Sequence, residues 1–315
     1  MRPLITVAIC TRNRAGLLEK AVRSVLAQIN DNVEILIVDN GSTDNTAKVA
    51  ADLAAADARV KFFREPQTGL SLARNLALQQ AAGDWVVFLD DDAVAEPGWL
   101  AAYENFFSRL PHARVACAGG RVTPYYDAPP PAWLGPNTHH LTGPDERRPF
   151  TSKSSPFGCN YAVRRETALA VGGFNPALGR RDRFLGAHEE IELAERLRCA
   201  GYEIWWLPDA RIQHLVIVER LRLGWQMRYA FSDGRSRAIR RWNNAVGRGG
   251  RTMLVVGRVS VAPFHCGINL LLALVSFPLQ NGRVAVRALI QAASIAGLTC
   301  GLLRQSFCCR GSARP

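Results

Sequence analysis

At 315 residues, with 48% hydrophobic and 21% charged side chains, the chain is long and mixed enough for one large domain with an appendage, which excludes disorder and fibrous repeats. Its eight cysteines are scattered without a C-x-x-C pair, against a disulfide framework or zinc ribbon and for a reducing compartment. The net charge of +12 is uneven: residues 1–210 hold 23 Lys and Arg against 25 Asp and Glu, whereas residues 211–315 hold 16 Arg against Glu219 and Asp233.

The opening run "LITVAIC" reads as a buried strand, and is too short for a secretory signal core, so the amino end is expected in the cytosol. "AGLLEKAVRSVLAQ" has apolar residues at helical spacing, "VEILIV" is a second strand, and "TDNTAKVAADLAAA" a second helix. "VKFF", "LSLARNLALQQAA" and "WVVFL" continue the alternation, which predicts a parallel sheet with crossover helices. Ligands of such sheets gather beyond the carboxyl ends of the strands, and here those ends read "TRN", "DNGSTD" and "DDD".

Beyond the acidic run, Glu96-Pro97-Gly98 opens a helix to about Arg109, and "RVACAGGRVTPYY" is a strand. Residues 127–156 are a loop rich in Pro and Gly, the length of a functional lid or a disordered crossing, with Trp133 as the anchor of a lid and His139-His140 solvated. A strand at "CNYAV", a helix from "RRETALAV", a helix at "HEEIELAERLRCAG" and two strands, "YEIWWL" and "ARIQH", complete the domain. "WQMRYAFSDGRSRAIRRW" reads as a basic, aromatic helix near an acceptor or membrane, or as a solvated face. Val259–Gly282 and Ala288–Leu303 are uncharged. Spanning a bilayer takes about 20 apolar residues, so this tail spans, lies at an interface between flanking arginines, or caps the domain.

Three constellations carry chemistry. Asp90 and Asp92 alternate along a strand end and face one way while Asp91 turns aside, a grouping for a hard cation such as Mg2+ or Mn2+ or for an acidic helix-capping turn. Asp39, before Gly41, can accept hydrogen bonds from a base or ribose, alongside an N-cap at Ser42 or Thr43. Glu190 shares a helix face with Leu193, Ala194 and Leu197 and is a candidate general base or a cap; Glu192 and Arg196 read as a surface salt bridge.

On these motifs residues 4–235 resemble the inverting glycosyltransferases of family 2 with the GT-A fold: "TVAICTRNR", "VDNGSTDNT", "GLSLARN", "FLDDDAV", "GCNYAVRRETALAVGGF" and "HEEIELAERLRCAGYEI" stand in the family's order. The resemblance implies a Rossmann-like α/β sheet flanked by helices in a catalytic domain over 1–235, with a nucleotide-binding half (1–95) and an acceptor half (96–235). A basic, apolar membrane-associating tail follows over 236–315. It implies that Thr11, Arg12, Asn13 and Asp39 line the base pocket, that Arg74 and Asp90 hold the nucleotide with Asp91 beside them, and that Asp92 and His214 bind Mn2+ or Mg2+. His214 is otherwise a packed strand-end residue. The base is Glu190 or Glu189, since this chain has Glu-Glu where the family has Glu-Asp. The implied activity is metal-dependent transfer, with inversion, from a nucleotide-sugar donor to a saccharide or polyprenyl-linked acceptor, in cell-surface polysaccharide or glycoconjugate synthesis at the cytoplasmic membrane face. No nucleic acid partner is expected. A nucleotidyltransferase would show a lysine-bearing glycine loop where "TRNRAG" stands, and a nucleic-acid-binding protein would leave the acidic site unexplained.

Overall fold

The computed structural model describes residues 5–28, 32–110, 113–134, 142–151, 154–182, 184–245, 247–276 and 282–311. His139 and His140, and the side chains of Cys308 and Cys309, lie outside the described residues.

The predicted alternation is present. Strand β1 (Ile5–Thr11), helix α1 (Ala15–Leu26), β2 (Val33–Asp39), α2 (Thr46–Ala56), β3 (Val60–Arg64), α3 (Leu70–Gln80) and β4 (Trp85–Leu89) follow one another. β1 pairs in parallel with β2 on one side and β4 on the other, and β3 extends β2 in parallel. β1, β2 and β4 are buried nearly throughout because each lies inside the sheet and is covered on both faces, hence their unbroken apolar runs. Each Val, Leu or Ile fully buried there contributes about 1.5–3 kcal/mol.

The second half of the sheet changes direction. It comprises β5 (Ala93–Ala95), α4 (Trp99–Phe107), β6 (Val115–Tyr126), the two-residue β7 (Arg148–Pro149), β8 (Asn160–Arg164), α5 (Arg165–Ala170), α6 (Glu189–Cys199) and β9 (Glu203–Val216). β8 runs antiparallel to β4 and β6, and β9 antiparallel to β5 and β7. The spatial order is β3-β2-β1-β4-β8-β6-β9-β5, with β7 beside β9. This is a mixed α/β sheet of the GT-A kind. The two expected strands of residues 202–214 are one, β9.

Asn160 at the start of β8 joins this half to α4. Its Oδ1 accepts Trp99 Nε1 (2.8 Å) and the Tyr103 hydroxyl (3.0 Å), and its Nδ2 donates to the carbonyls of Arg121 (3.0 Å) and Ala210 (2.8 Å). Gly119 and Gly120 in β6 allow the close approach of neighbours: a Cβ on Gly120 would lie 1.9 Å from the Ala210 oxygen.

The chain forms two compact units, one of residues 1–125, 139–176 and 189–215, the other of 126–138, 177–188 and 216–315. The second contains α7 (Leu223–Asn244), α8 (Gly247–Ser276) and α9 (Gly282–Gly311), after a short 3-10 turn. In it α7 packs along α9 through small residues: a Cβ on Gly234 would meet the Ser294 oxygen at 2.1 Å, and one on Gly297 the Phe231 oxygen at 2.0 Å. His188 Nε2 lies 2.7 Å from Asp233 Oδ1 of α7, and the Ala187 amide donates to Ser236 Oγ, which seats residues 187–188 on that helix.

Candidate active site

β1 lies where the order of the sheet reverses, between β2 and β4, and the crevice at such a point opens beyond the strand ends. Thr11, Asp39 and the Asp90–Asp92 run stand at those ends.

Asp90, Asp92 and His214 bring one ligand atom each within 4.8 Å of one another. His214 sits in β9 opposite Ala93 of β5, with Nε2 3.1 Å from Asp92 Oδ1. Asp91 turns aside: its Oδ2 accepts the Thr11 hydroxyl at 2.8 Å, and its Oδ1 lies 3.0 Å from Arg14 Nη1. Arg14 Nη1 also reaches Asp92 Oδ2 at 2.5 Å. Burial pushes the Asp91 carboxyl up to about 6, against the pull of Arg14.

Arg74 of α3 is the second organiser. It is only 2% exposed and lies over the rings of Phe88, Tyr161 and Phe174, 5.5–5.8 Å from their centroids. Nη1 pairs with Glu189 Oε1 (2.6 Å), and Nη2 donates to the Gly158 carbonyl (2.6 Å) and to Asp90 Oδ1 (3.2 Å). Asp90 and the Glu pair are thereby linked through one cation.

Glu190 is half-buried. Burial, and then the charge of Glu189, push its carboxyl up to about 8 against the pull of Arg74. Both glutamates begin α6, where the helix dipole favours negative charge. Glu189 Oε2 and the Tyr161 hydroxyl are buried without hydrogen-bond partners among the described residues.

Five carboxylates (Asp90, Asp91, Asp92, Glu189 and Glu190) thus face two guanidinium groups, Arg14 and Arg74, among the described residues. Two carboxylates and an imidazole beside such an excess of negative charge fit a divalent ion of the Mn2+ or Mg2+ kind.

The loops after β1 and β2 are tied together. Asn13, with φ 55°, accepts the Thr43 amide on Oδ1 (2.7 Å), and its own amide donates to Ser42 Oγ (2.9 Å). Asp39 is fully buried and accepts the Ser42 amide (3.1 Å) and Arg64 Nε (3.1 Å). Gly41 makes the turn with φ 71°. Asn45 precedes α2 as its N-cap without a side-chain cap bond, so neither Ser42 nor Thr43 holds that position. Arg12 is half-buried beside them.

One reading needs correction. Glu192 and Arg196 are not a surface pair: Glu192 is buried, and Arg196 also donates to the carbonyls of Val171 and Gly173, fastening α6 to the end of α5. The sequence reading also passed over Arg14 and Gly158. The second basic residue of "TRNR" was the available signal for Arg14; nothing local marks Gly158.

Residues 6–169 match the family model described as glycosyl transferase family 2, more than half of the chain. The chain belongs to glycosyl transferase family 2. It is a glycosyltransferase with relatives in polysaccharide and glycolipid synthesis. It is 28% identical over 241 residues to the glucosyl-dolichyl phosphate glucuronosyltransferase of Haloferax volcanii, covering 75% of this chain and 76% of that one. It is 26% identical over 309 residues to the succinoglycan biosynthesis protein ExoM of Rhizobium meliloti, covering 93% and 92%. The mannosyltransferase PcManGT of Pyrobaculum calidifontis, solved with GDP-Man and Mn2+, shares the fold with a TM-score of 0.59 at 19% identity, over 95% of this chain and 88% of that one.

Proposed function

We propose that this family 2 enzyme moves a sugar from a nucleotide-sugar donor to a hydroxyl of a saccharide or lipid-linked acceptor, inverting the anomeric centre. The observation that carries the reading is the Asp90–Asp92–His214 cluster joined through Arg74 to the Glu189–Glu190 pair. A saccharide acceptor is in keeping with the succinoglycan relative, and a lipid-linked one with the glucosyl-dolichyl phosphate relative.

Asp90, Asp92 and His214 would hold Mn2+ or Mg2+, which supplies Lewis-acid stabilisation of charge on the departing diphosphate. Thr11, Arg12, Asn13 and Asp39 bound the nucleoside end, with Asp91 fixed behind them by Thr11 and Arg14. Arg74 holds Glu189 and Asp90 through one guanidinium beside the site of transfer. Glu190, not consumed by that ion pair, takes the proton from the acceptor hydroxyl as its oxygen attacks the anomeric carbon and the bond to the phosphate oxygen breaks. Its raised proton affinity suits a base that works near neutral pH. One displacement inverts the centre, as in inverting hydrolysis with a hydroxyl in place of water.

The unit containing the sheet is the catalytic one, and the unit containing α7, α8 and α9 associates with the cytoplasmic face of a membrane. Thiols left unpaired at Cys117 and Cys159 accord with a reducing compartment. Two helical stretches, Gly249–Ser276 and Arg283–Ser306, are long and apolar enough to cross a bilayer.

The test is thermal stabilisation by GDP or UDP with Mn2+, followed by transfer assays over a panel of sugar nucleotides with the product anomer read by NMR. Stabilisation that a chelator abolishes, and an inverted product, are expected. No shift with any nucleoside diphosphate, or a retained anomer, refutes the reading.

A further inference from the structure

Helix α8 turns the usual burial pattern inside out. Near its start Leu254 and Val255 pack against α7 and α9, but from Ala262 on its inward seam consists of Ala262, Cys266, Asn269, Ala273 and Ser276, small or polar residues recurring every three or four positions. Its large apolar side chains point away from the protein: Phe264 is 70% exposed, Leu271 61% and Leu274 71%. Val261, Ile268, Leu270, Leu272 and Val275 are exposed as well, so apolar surface surrounds the seam on three sides. A helix resting against water does the reverse. Contiguous apolar surface of this kind marks a contact with something apolar.

Two observations limit how a membrane can receive this helix. The first concerns α9. Its uncharged run is covered by α7 through Gly234, Ala238, Ser294, Gly297, Leu298 and Gly301. Over that stretch α7 carries Asp233, Arg235, Arg237, Arg240 and Arg241, and Arg237 donates to Ser294 Oγ. A helix clad in arginines does not sit in hydrocarbon, so α9 is not a lipid-immersed span.

The second concerns the far end of α8. Arg283, at the start of α9, donates from Nε to the carbonyl of Ala132 at 2.6 Å. Ala132 lies in an irregular segment with Pro129, Pro130 and Pro131, which leaves β6 at Tyr126. Irregular backbone does not pass through lipid. The chain also runs from β9 into α7 without an apolar crossing. The start of α8, beside charged α7, and its end, beside Ala132, therefore share one side of the membrane.

We infer that α8 is an in-plane anchor inserted into one leaflet, with its large side chains among the acyl chains. Arg251 and Arg258 near its start, and Arg283 and Arg287 beyond its end, meet anionic phosphates of the same leaflet, and Trp133 stands at the level of the headgroups. The inference rests on the membrane association proposed above and specifies its mode.

The full chain is mixed with sealed phosphatidylcholine vesicles, with and without phosphatidylglycerol, and floated on a gradient. Flotation is expected to increase with phosphatidylglycerol and to weaken with salt. The Phe264→Ser/Leu271→Ser/Leu274→Ser variant is expected to lose more than about tenfold in partitioning while retaining stabilisation by GDP or UDP with Mn2+. On vesicles carrying the Val284→Cys variant, a membrane-impermeant maleimide should label that position to the same extent before and after detergent, read by peptide mass spectrometry.

Labelling only after detergent would mean that α8 spans, and would overturn the inference. So would unchanged flotation of the triple variant, or a native chain that dimerises through α8 and does not float. A chain that floats with position 284 accessible but ignores every nucleoside diphosphate leaves the anchor standing and sinks the donor reading instead.

Discussion

Arg74 and Glu189 meet at 2.6 Å with both side chains buried, while Glu190, one residue on, stays outside that pair. Two adjacent glutamates at one helix start therefore differ in role. Glu189 completes the charge of a guanidinium that also holds Asp90, and Glu190 is the residue proposed as the base. Glu190→Gln is expected to keep donor binding and to lower transfer by about a hundredfold to ten-thousandfold. Glu189→Gln leaves Arg74 buried without its counter-charge and should cost about 3 kcal/mol of stability, measured by denaturant unfolding. Should Glu189→Gln abolish transfer in a protein of native stability, the roles are reversed.

The proton affinity of Glu190 sets a pH dependence. Burial and Glu189 raise its carboxyl to about 8, and a base must be ionised to act. kcat/KM for the acceptor should therefore rise with pH from acid values and level off above about 8, the reverse of what an acid catalyst would give. The residual rate of Glu190→Gln should lack that rise. A plateau extending down to pH 5 in the native enzyme would remove Glu190 as the group that titrates.

Asp92 accepts from Arg14 and faces His214, while Asp91 keeps Arg14 and Thr11 when Asp92 is changed. Asp92→Asn should fold and lose the part of nucleotide stabilisation that requires Mn2+. His214→Ala should weaken Mn2+ binding by at least about tenfold, the scale of losing even an outer metal partner. Titration calorimetry or the EPR signal of free Mn2+ measures both without turnover. Native Mn2+ affinity in Asp92→Asn would remove that residue from the metal set.

What the sequence made legible, and what it hid, divides by the range of the interactions. β1, β2 and β4 were readable because strands covered on both faces need unbroken apolar runs. Asp91 does turn away from Asp90 and Asp92, but the three form a turn between β4 and β5, closed by the Ala93 amide on the Asp90 carbonyl, so the alternation of a strand is not its cause. The two strands expected at "YEIWWL" and "ARIQH" are one, β9, which runs on through Pro208 although proline cannot donate to a ladder. In the structure Pro208 falls between the stretches that pair with β7 and β5, where that edge asks for no donor. Arg14 is not legible because Asp91 lies 77 residues away, and the Glu192–Arg196 pair reads as a surface one because Val171, which Arg196 also reaches, lies 25 residues away. His214 drew its role from the family resemblance; its own strand marks it only as an end residue.

Asn160 offers a test of the frame rather than the chemistry. All four of its side-chain hydrogen bonds are made inside the protein, to Trp99, Tyr103, Arg121 and Ala210. Asn160→Leu strands those groups, each at about 1–3 kcal/mol, and should lower unfolding free energy by at least about 3 kcal/mol. A variant within about 0.5 kcal/mol of native, the usual range for a surface change, would show that water replaces the lost bonds.

Gly158 connects frame and chemistry. A Cβ there would stand 3.3 Å from both Arg74 Nη atoms, closer than ordinary contact, and 3.4 Å from the Glu190 carboxyl carbon, just in contact. An exposed arginine would swing away. Arg74 cannot, since three aromatic rings enclose it and Glu189, Asp90 and the Gly158 carbonyl fix its nitrogens. The backbone at position 158 must therefore give by a few tenths of an ångström, which carries the methyl against the Glu190 carboxylate. Misplacing a reacting group by about 1 Å costs on the order of a hundredfold, so Gly158→Ala should lower kcat by roughly tenfold. KM for the donor should hold, because Arg74 stays in place and keeps its bond to Asp90. A fall in donor affinity with kcat unchanged would instead mean that Arg74 yields first and takes Asp90 with it.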